Sequence, residues 1–258
     1  ALLLATLGVI AFSRRNPAAG LSSNRLAAQL GQPAGTTDPW GRRLRGAGEG
    51  TTTLPPALES FQLGVRQLDL RMALAAGDQN GTDTAAARLS RLFSQMDLPP
   101  PDTVARYAGL AAALKRRTEP SGAAGSPDRQ SLLVKADDLE RTGFVDAVEP
   151  EFAALGRWTE ACRLSAKAGR DEVFRTRDTA RLLDWVLAPD LDTAVPANPA
   201  AAATTRADRL AVAEAPPILR GIRQEVTGLA TGAPGASPRF VTQLGGQCKS
   251  LLGYLDPD

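Results

Sequence analysis

LGVRQLDLRMALAAGD, residues 63–78, and LGRWTEACRLSAKAGR, residues 155–170, align without a gap at an offset of 92. The matches are Leu63/Leu155, Gly64/Gly156, Arg71/Arg163, Ala76/Ala168 and Gly77/Gly169. Each copy spaces apolar residues three to four apart and ends near a glycine, the pattern of an amphipathic helix with a C-terminal stop. A short polar loop follows each, and then a DTA element, DTAAARL at 83–89 and DTARLL at 178–183. A third copy begins at PPILRGIRQEV, whose GIRQ echoes GVRQ at 64–67. The unit is read as a helical hairpin: one helix, a glycine stop and a returning helix, stacked on its neighbours.

Outward from these copies the chain stays helical. Leu58, Phe61, Val65, Leu68 and Met72 make one apolar face behind Pro55-Pro56, with Gly77 as the stop. DQNGTD at 78–83 has oxygen ligands and a glycine, but Leu89 stands where a calcium loop of the EF-hand type needs its bidentate Glu. It is read as a helix–helix turn with Thr82 or Asp83 as N-cap. Leu89, Leu92, Phe93 and Met96 form the next face, and prolines 99–101 end it. Helical patterns follow at 101–117, 131–148, 151–169, 171–187, 217–230 and 238–255. No run shows the alternation and β-branched richness of a sheet. The fold expected is all-α, with stacked hairpins over 57–188, a Pro/Ala-rich linker over 189–216 and a C-terminal helical hairpin over 217–258.

GRWTEACRLSAKA in the second copy resembles the middle of a tetratricopeptide repeat. Gly156, Trp158, Ala161 and Ala168 stand where that family places its turn glycine, an aromatic, a small packing residue and a second alanine, with Phe152 upstream as the first helix's aromatic. The resemblance covers about one degenerate repeat, residues 150–187. It departs from the pattern at Glu149, where a glycine is expected, at Pro150, and in the first copy at Asp69. The resemblance implies protein–protein scaffolding rather than catalysis.

The first twelve residues, ALLLATLGVIAF, carry Leu2, Leu3, Leu4, Leu7, Val9, Ile10 and Phe12. As a helix they would span about 18 Å, against about 30 Å of hydrocarbon. They are read as the C-terminal part of a transmembrane anchor, in preference to a core helix or a residual signal peptide. Residues 13–56 read as a long irregular arm, because Pro17, Gly31, Pro33, Gly35, DPWG at 38–41, GAGEG at 46–50 and Pro55-Pro56 deny any long element. One short helix over 23–30 fits within it. Such an arm is expected to lie along a partner, with Arg14, Arg15, Trp40, Arg42, Arg43 and Arg45 as contacts. Its arginines would hold the flank cytoplasmic by the positive-inside rule. The single anchor, the large C-terminal body and the Pro/Ala/Thr linkers point instead to the periplasm, which is the orientation expected.

Composition limits the chemistry. Among 258 residues, 43% are hydrophobic, and 30 basic groups face 28 acidic ones, so no net field recruits nucleic acid. Lys occurs only at Lys115, Lys135, Lys167 and Lys249, and this Arg bias with abundant Ala, Gly and Pro reads as the coding of a high-GC bacterium. There is no histidine, the residue most used for acid–base work near neutral pH and as a nitrogen ligand. Two cysteines, Cys162 and Cys248, lie 86 positions apart and cannot build a zinc or iron–sulfur site within one chain. They stand as a disulfide in an oxidising compartment or as two buried free thiols. Asp137, Asp138, Glu140, Asp146, Glu149 and Glu151 cluster in sequence beside Lys135 and Arg141 and are read as a solvated helix face. GAGEG has none of the context of a phosphate-binding loop. The expectation is therefore a non-enzymatic chain without metal or cofactor, a scaffold subunit of a bacterial membrane complex of respiratory or photosynthetic kind. Its partners would be the other subunits and the bilayer, with a periplasmic peptide- or ligand-binding repeat module as the alternative.

Overall fold

The computed structural model describes residues 20–31, 54–96, 129–142, 148–190, 204–230 and 238–256. In chain order the helices are α1 (Ser23–Leu30), α2 (Pro56–Ala76), α3 (Gln79–Gln95), α4 (Arg129–Thr142), α5 (Pro150–Lys167), α6 (Arg177–Leu187), α7 (Ala215–Ala230) and α8 (Pro238–Leu255). Short 3-10 turns at Glu172–Arg175 and Arg206–Leu210 complete them. Among the described residues there is no strand, only an isolated antiparallel bridge between Pro189 and Thr205. The fold is all-α.

The sequence repeat is reproduced in backbone detail. Pro56 and Pro150 occupy the first turns of α2 and α5, where a missing N–H costs nothing. Both helices end on a left-handed glycine, Gly77 at φ +70° and Gly169 at φ +67°, a conformation that penalises any Cβ. At the first stop, Asp78 N donates to Ala73 O at 3.0 Å and Gly77 N to Leu74 O at 3.2 Å. At the second, Arg170 N donates to Ser165 O at 2.9 Å and Gly169 N to Ala166 O at 3.1 Å. Each donor and acceptor recurs at the offset of 92, so both copies close the same two-bond cap.

α2 and α5 then pack on each other about a pseudo-twofold. A Cβ on Gly64 would stand 1.9 Å from the carbonyl oxygen of Ala153, and one on Gly156 would stand 2.0 Å from that of Phe61. Gly156 is the repeat mate of Gly64 and Ala153 that of Phe61, so the two contacts are one contact seen from either copy. The helices run in the same direction, as Ser60 meets Glu149 near their starts and Gln67 meets Arg157 further along. Residues 57–68 and 152–162 are buried without interruption. Helices enclosed on all sides must lie at the centre.

Two apolar clusters flank this crossing. The main one takes Leu58, Phe61, Val65, Leu68 and Met72 from α2, Phe152, Trp158 and Ala161 from α5, and residues of α1, α6, α7 and α8. The smaller one joins Leu63, Leu70 and Leu74 of α2 to Leu89, Leu92, Phe93 and Met96 on or just after α3. The apolar faces expected from spacing in both helices are the ones buried.

Five expectations need correction. The N-cap of α3 is Asp78, whose carboxylate accepts from Gly81 N at 2.9 Å; Thr82 lies a turn inside and its hydroxyl donates back to Asp78 O. The part of the arm over 20–31 lies on this chain's own body, because Leu21, Leu26 and Leu30 insert into the main core. The linker is docked at both ends: Asp190 N donates to Thr204 O at 2.9 Å, Arg206 N to Ala188 O at 3.1 Å, and Ala207 and Leu210 are buried. α7 and α8 share the main core with α5 instead of forming a separate hairpin. Gly156 sits inside uninterrupted α5, serving a close approach and not a turn, and Ala168 is an exposed C-cap.

No helix among the described residues is long and apolar enough to cross a membrane. The anchor residues Leu2 to Phe12 and the contact residues Arg14, Arg15, Trp40, Arg42, Arg43 and Arg45 lie outside the described residues.

Candidate functional site

Among the described residues, three junctions carry charges inward and join segments remote in sequence. The first is at Arg157, buried beside the glycine crossing. Its Nε donates to Leu21 O at 2.9 Å and a terminal nitrogen donates to Gln67 Oε1 at 2.7 Å, while Glu140 lies 3.5 Å from Nε. Burial lowers the Arg157 pKa from its ordinary value and Glu140 opposes the shift. Glu140 also accepts from Ser23 N at 3.0 Å, placing a carboxylate on the positive end of α1. At the other end of α1, Arg170 donates to Leu30 O. The short helix is thus held at both termini by charges that oppose its dipole.

Beside this junction Arg71 donates to Asp137 Oδ1 at 2.8 Å, Leu133 O at 3.1 Å and Asn24 Oδ1 at 2.6 Å. A cleft at Arg71 has about 260 Å³ of empty space including its open mouth, and is lined by Ser23, Gln67, Leu70, Arg71, Ala136, Asp137 and Glu140. Both carboxylates lining it are already bonded to nitrogen. Its walls tie α1, α2 and α4 together.

The second junction fastens the C-terminal helix. Arg66 on α2, nearly enclosed, donates to Asp256 Oδ1 at 3.1 Å, and Gln62 Nε2 donates to Leu255 O at 2.9 Å. At the third, Arg209 donates to Glu149 Oε1 at 2.7 Å and its Nε lies 3.9 Å from Asp190. The guanidinium stands 5.7 Å from the centre of the Phe152 ring, and that of Arg206 4.7 Å from the Trp185 ring centre. The two rings meet edge to face at 5.5 Å. Burial pushes the Glu149 carboxyl above its ordinary value; Arg209 pulls it down, and Glu151 and Asp190 add to the rise.

Cys162 on α5 and Cys248 on α8 are free and wholly buried, and both lie in the main apolar core. Burial, then Cys248, then the charge of Glu160 hold the Cys162 thiol well above the usual thiol range. Glu160 itself is paired with Arg163.

The structure therefore brings the two cysteines together across 86 positions of sequence. It corrects the reading of the acidic run as a solvated face. Glu140, Asp137 and Glu149 leave that face for ion pairs with Arg157, Arg71 and Arg209, while Asp146 lies outside the described residues. Arg157, Arg66 and Asp256 were missed. A signal for the first existed in FAALGRW, where an arginine interrupts a run too apolar to offer it solvent. Comparison with family models, curated proteins and solved structures finds no match for this chain.

Proposed function

We propose that the chain is a non-catalytic scaffold subunit of a larger bacterial membrane assembly, respiratory or photosynthetic. Residues 1–12 enter the bilayer and the helical body stands on the periplasmic side. The observation that carries this reading is the duplicated helical hairpin, stacked on its copy through the Gly64/Gly156 crossing. A stack of this kind presents a continuous helical surface to a protein partner. The resemblance of residues 150–187 to a degenerate tetratricopeptide hairpin points the same way. The charge junctions support it further, since Arg157, Arg66 and Arg209 are each engaged in joining one element to another. Partners are the other subunits and lipid, with the basic arm residues Arg14, Arg15, Arg42, Arg43 and Arg45 and the aromatic Trp40 at the contact.

Solubilising native membranes in mild detergent, then sizing the complexes and identifying the chains by mass spectrometry, tests the reading. The expected result is a membrane-bound chain migrating with a fixed set of partners far above its own 27.0 kDa. A free monomer, or recovery in the soluble fraction, removes the scaffold role. Protease digestion of intact spheroplasts reports the side: cleavage of the body from outside agrees with the periplasmic orientation.

A further inference from the structure

We propose that Cys162 and Cys248 are a disulfide-forming pair which, once oxidised, fastens α8 to α5. A Cβ on Gly245 of α8 would stand 2.2 Å from the Cβ of Ala166 on α5. The helices run antiparallel there, as Gly245 meets Ala166 near the end of α5 while Leu255 and Asp256 further along reach Gln62 and Arg66 of α2, beside the first half of α5. One turn from the glycine contact along either helix, the next inward position is a cysteine. A glycine at the contact lets the axes approach, and close axes bring facing Cα atoms within the roughly 4.4–6.8 Å that a disulfide spans. Both sulfurs lie wholly buried in the one core that α5 and α8 share, so a rotation of each side chain closes the remaining gap. Their surroundings are apolar, and replacing two S–H groups by one S–S bond leaves no polar group unpaired.

The chemistry balances with a disulfide donor, either glutathione disulfide or a disulfide-bearing oxidoreductase. While α8 is undocked, one cysteine thiolate attacks a sulfur of the donor and expels a donor thiolate, leaving a mixed disulfide. The second cysteine thiolate attacks the chain's own sulfur in that bond and expels the other donor thiolate. Two protons leave the chain, two electrons reduce the donor to two thiols, and the Cys162–Cys248 bond remains. In the folded chain both sulfurs are shielded and Cys162 is held as the thiol, so exchange belongs to the folding stage.

The test uses the full chain in detergent, unfolded in urea and refolded across a series of glutathione buffers from reducing to oxidising. Samples are quenched in acid, unfolded, labelled with N-ethylmaleimide and weighed intact, and the bridged peptide is mapped without reductant. At the oxidising end the proposal requires monomer with no label and a mass lower by two hydrogens; at the reducing end it requires two labels. The closed loop spans 86 positions, a length that raises the melting midpoint of the bridged form by about 10 °C over the reduced form. Persistence of both labels at the oxidising end, stable glutathione adducts, intermolecular dimers, or a bridged form that melts no higher than the reduced one would each overturn it. The result is independent of the scaffold reading, which concerns the company the chain keeps in the membrane.

Discussion

Gly64 and Gly156 are the residues on which the centre of the molecule depends. Each gives its neighbour's carbonyl the space a methyl group would fill, at 1.9 and 2.0 Å. Gly64→Ala or Gly156→Ala forces two enclosed helices apart and should cost about 2–4 kcal/mol. Gly253→Ala on the exposed side of α8, with nothing within 4 Å of the added Cβ, should instead gain about 0.5–1 kcal/mol. Urea unfolding of the three variants checks this, and the Gly64/Gly156 double substitution should cost less than the sum because both open the same crossing. Equal effects at Gly64 and Gly253 would show that helix propensity alone is being measured.

Glu149 offers a residue-scale test of a different kind. Burial, aided by Glu151 and Asp190, outweighs the pull of Arg209 and raises its folded pKa above the ordinary 4.5. A raised folded pKa means the native state binds the proton more tightly, so this contribution to stability is full below pH about 4.5 and is lost as pH rises through the folded pKa. Glu149→Gln does not titrate. Across that window the wild type should therefore lose stability relative to the variant, and at pH 7 the variant should be at least as stable despite losing the 2.7 Å ion pair. Urea midpoints for both proteins between pH 4 and 8 decide it. A variant clearly weaker at pH 7 would mean that Arg209 prevails and the sign is reversed.

At the scale of elements, α1 is the informative case. Its eight residues are too few for an isolated helix to persist in water, so its order comes from docking. Three leucines and two end charges supply that docking: Leu21, Leu26 and Leu30 in the core, Glu140 at the N-terminus and Arg170 at the C-terminus. Glu140→Gln weakens the N-terminal contact and leaves Arg157 buried with its remaining partners Leu21 and Gln67. The expected outcome is faster amide exchange over residues 23–30 by about tenfold, corresponding to about 1.4 kcal/mol, with α7 unchanged. Uniform acceleration across the chain would instead place Glu140 in global stability. The bounds of α1, the apolar faces of α2 and α3 and the glycine stops were all legible in the sequence, because each is a local matter of spacing, caps and backbone freedom. What α1 rests on was not legible. Pro and Gly around it carry no information about docking, and the buried partner Arg157 lies far away in sequence behind a glycine whose role depends on a second helix. The acidic run misled for the same reason, since a carboxylate's exposure is set by where its arginine arrives in three dimensions.

The molecule as a whole is organised by α2 and α5, and this decides how it should unfold. α2 contributes to both apolar clusters, and the main cluster takes side chains from α1, α2, α5, α6, α7 and α8 together. Trp158 lies in that core and Trp185 packs against it, so in a Trp40→Phe background fluorescence reports the centre while far-UV circular dichroism reports all helices at once. Reading residues 189–216 as a free linker implies two independent hairpin units and two separated transitions. A shared core implies coupling, because releasing α7 and α8 uncovers α5, strips Cys162 and Ala166 of their neighbours and removes the bonds that Leu255 and Asp256 make to Gln62 and Arg66. Urea unfolding followed by both probes under reducing conditions should therefore give coincident midpoints and one cooperative step. Gln62→Ala, which deletes the tie to Leu255 at 2.9 Å, should lower both midpoints in parallel. Were the circular dichroism midpoint to fall while the tryptophan midpoint stayed fixed, α8 would be opening independently and the C-terminal helices would behave as the separate unit their proline-rich approach suggests.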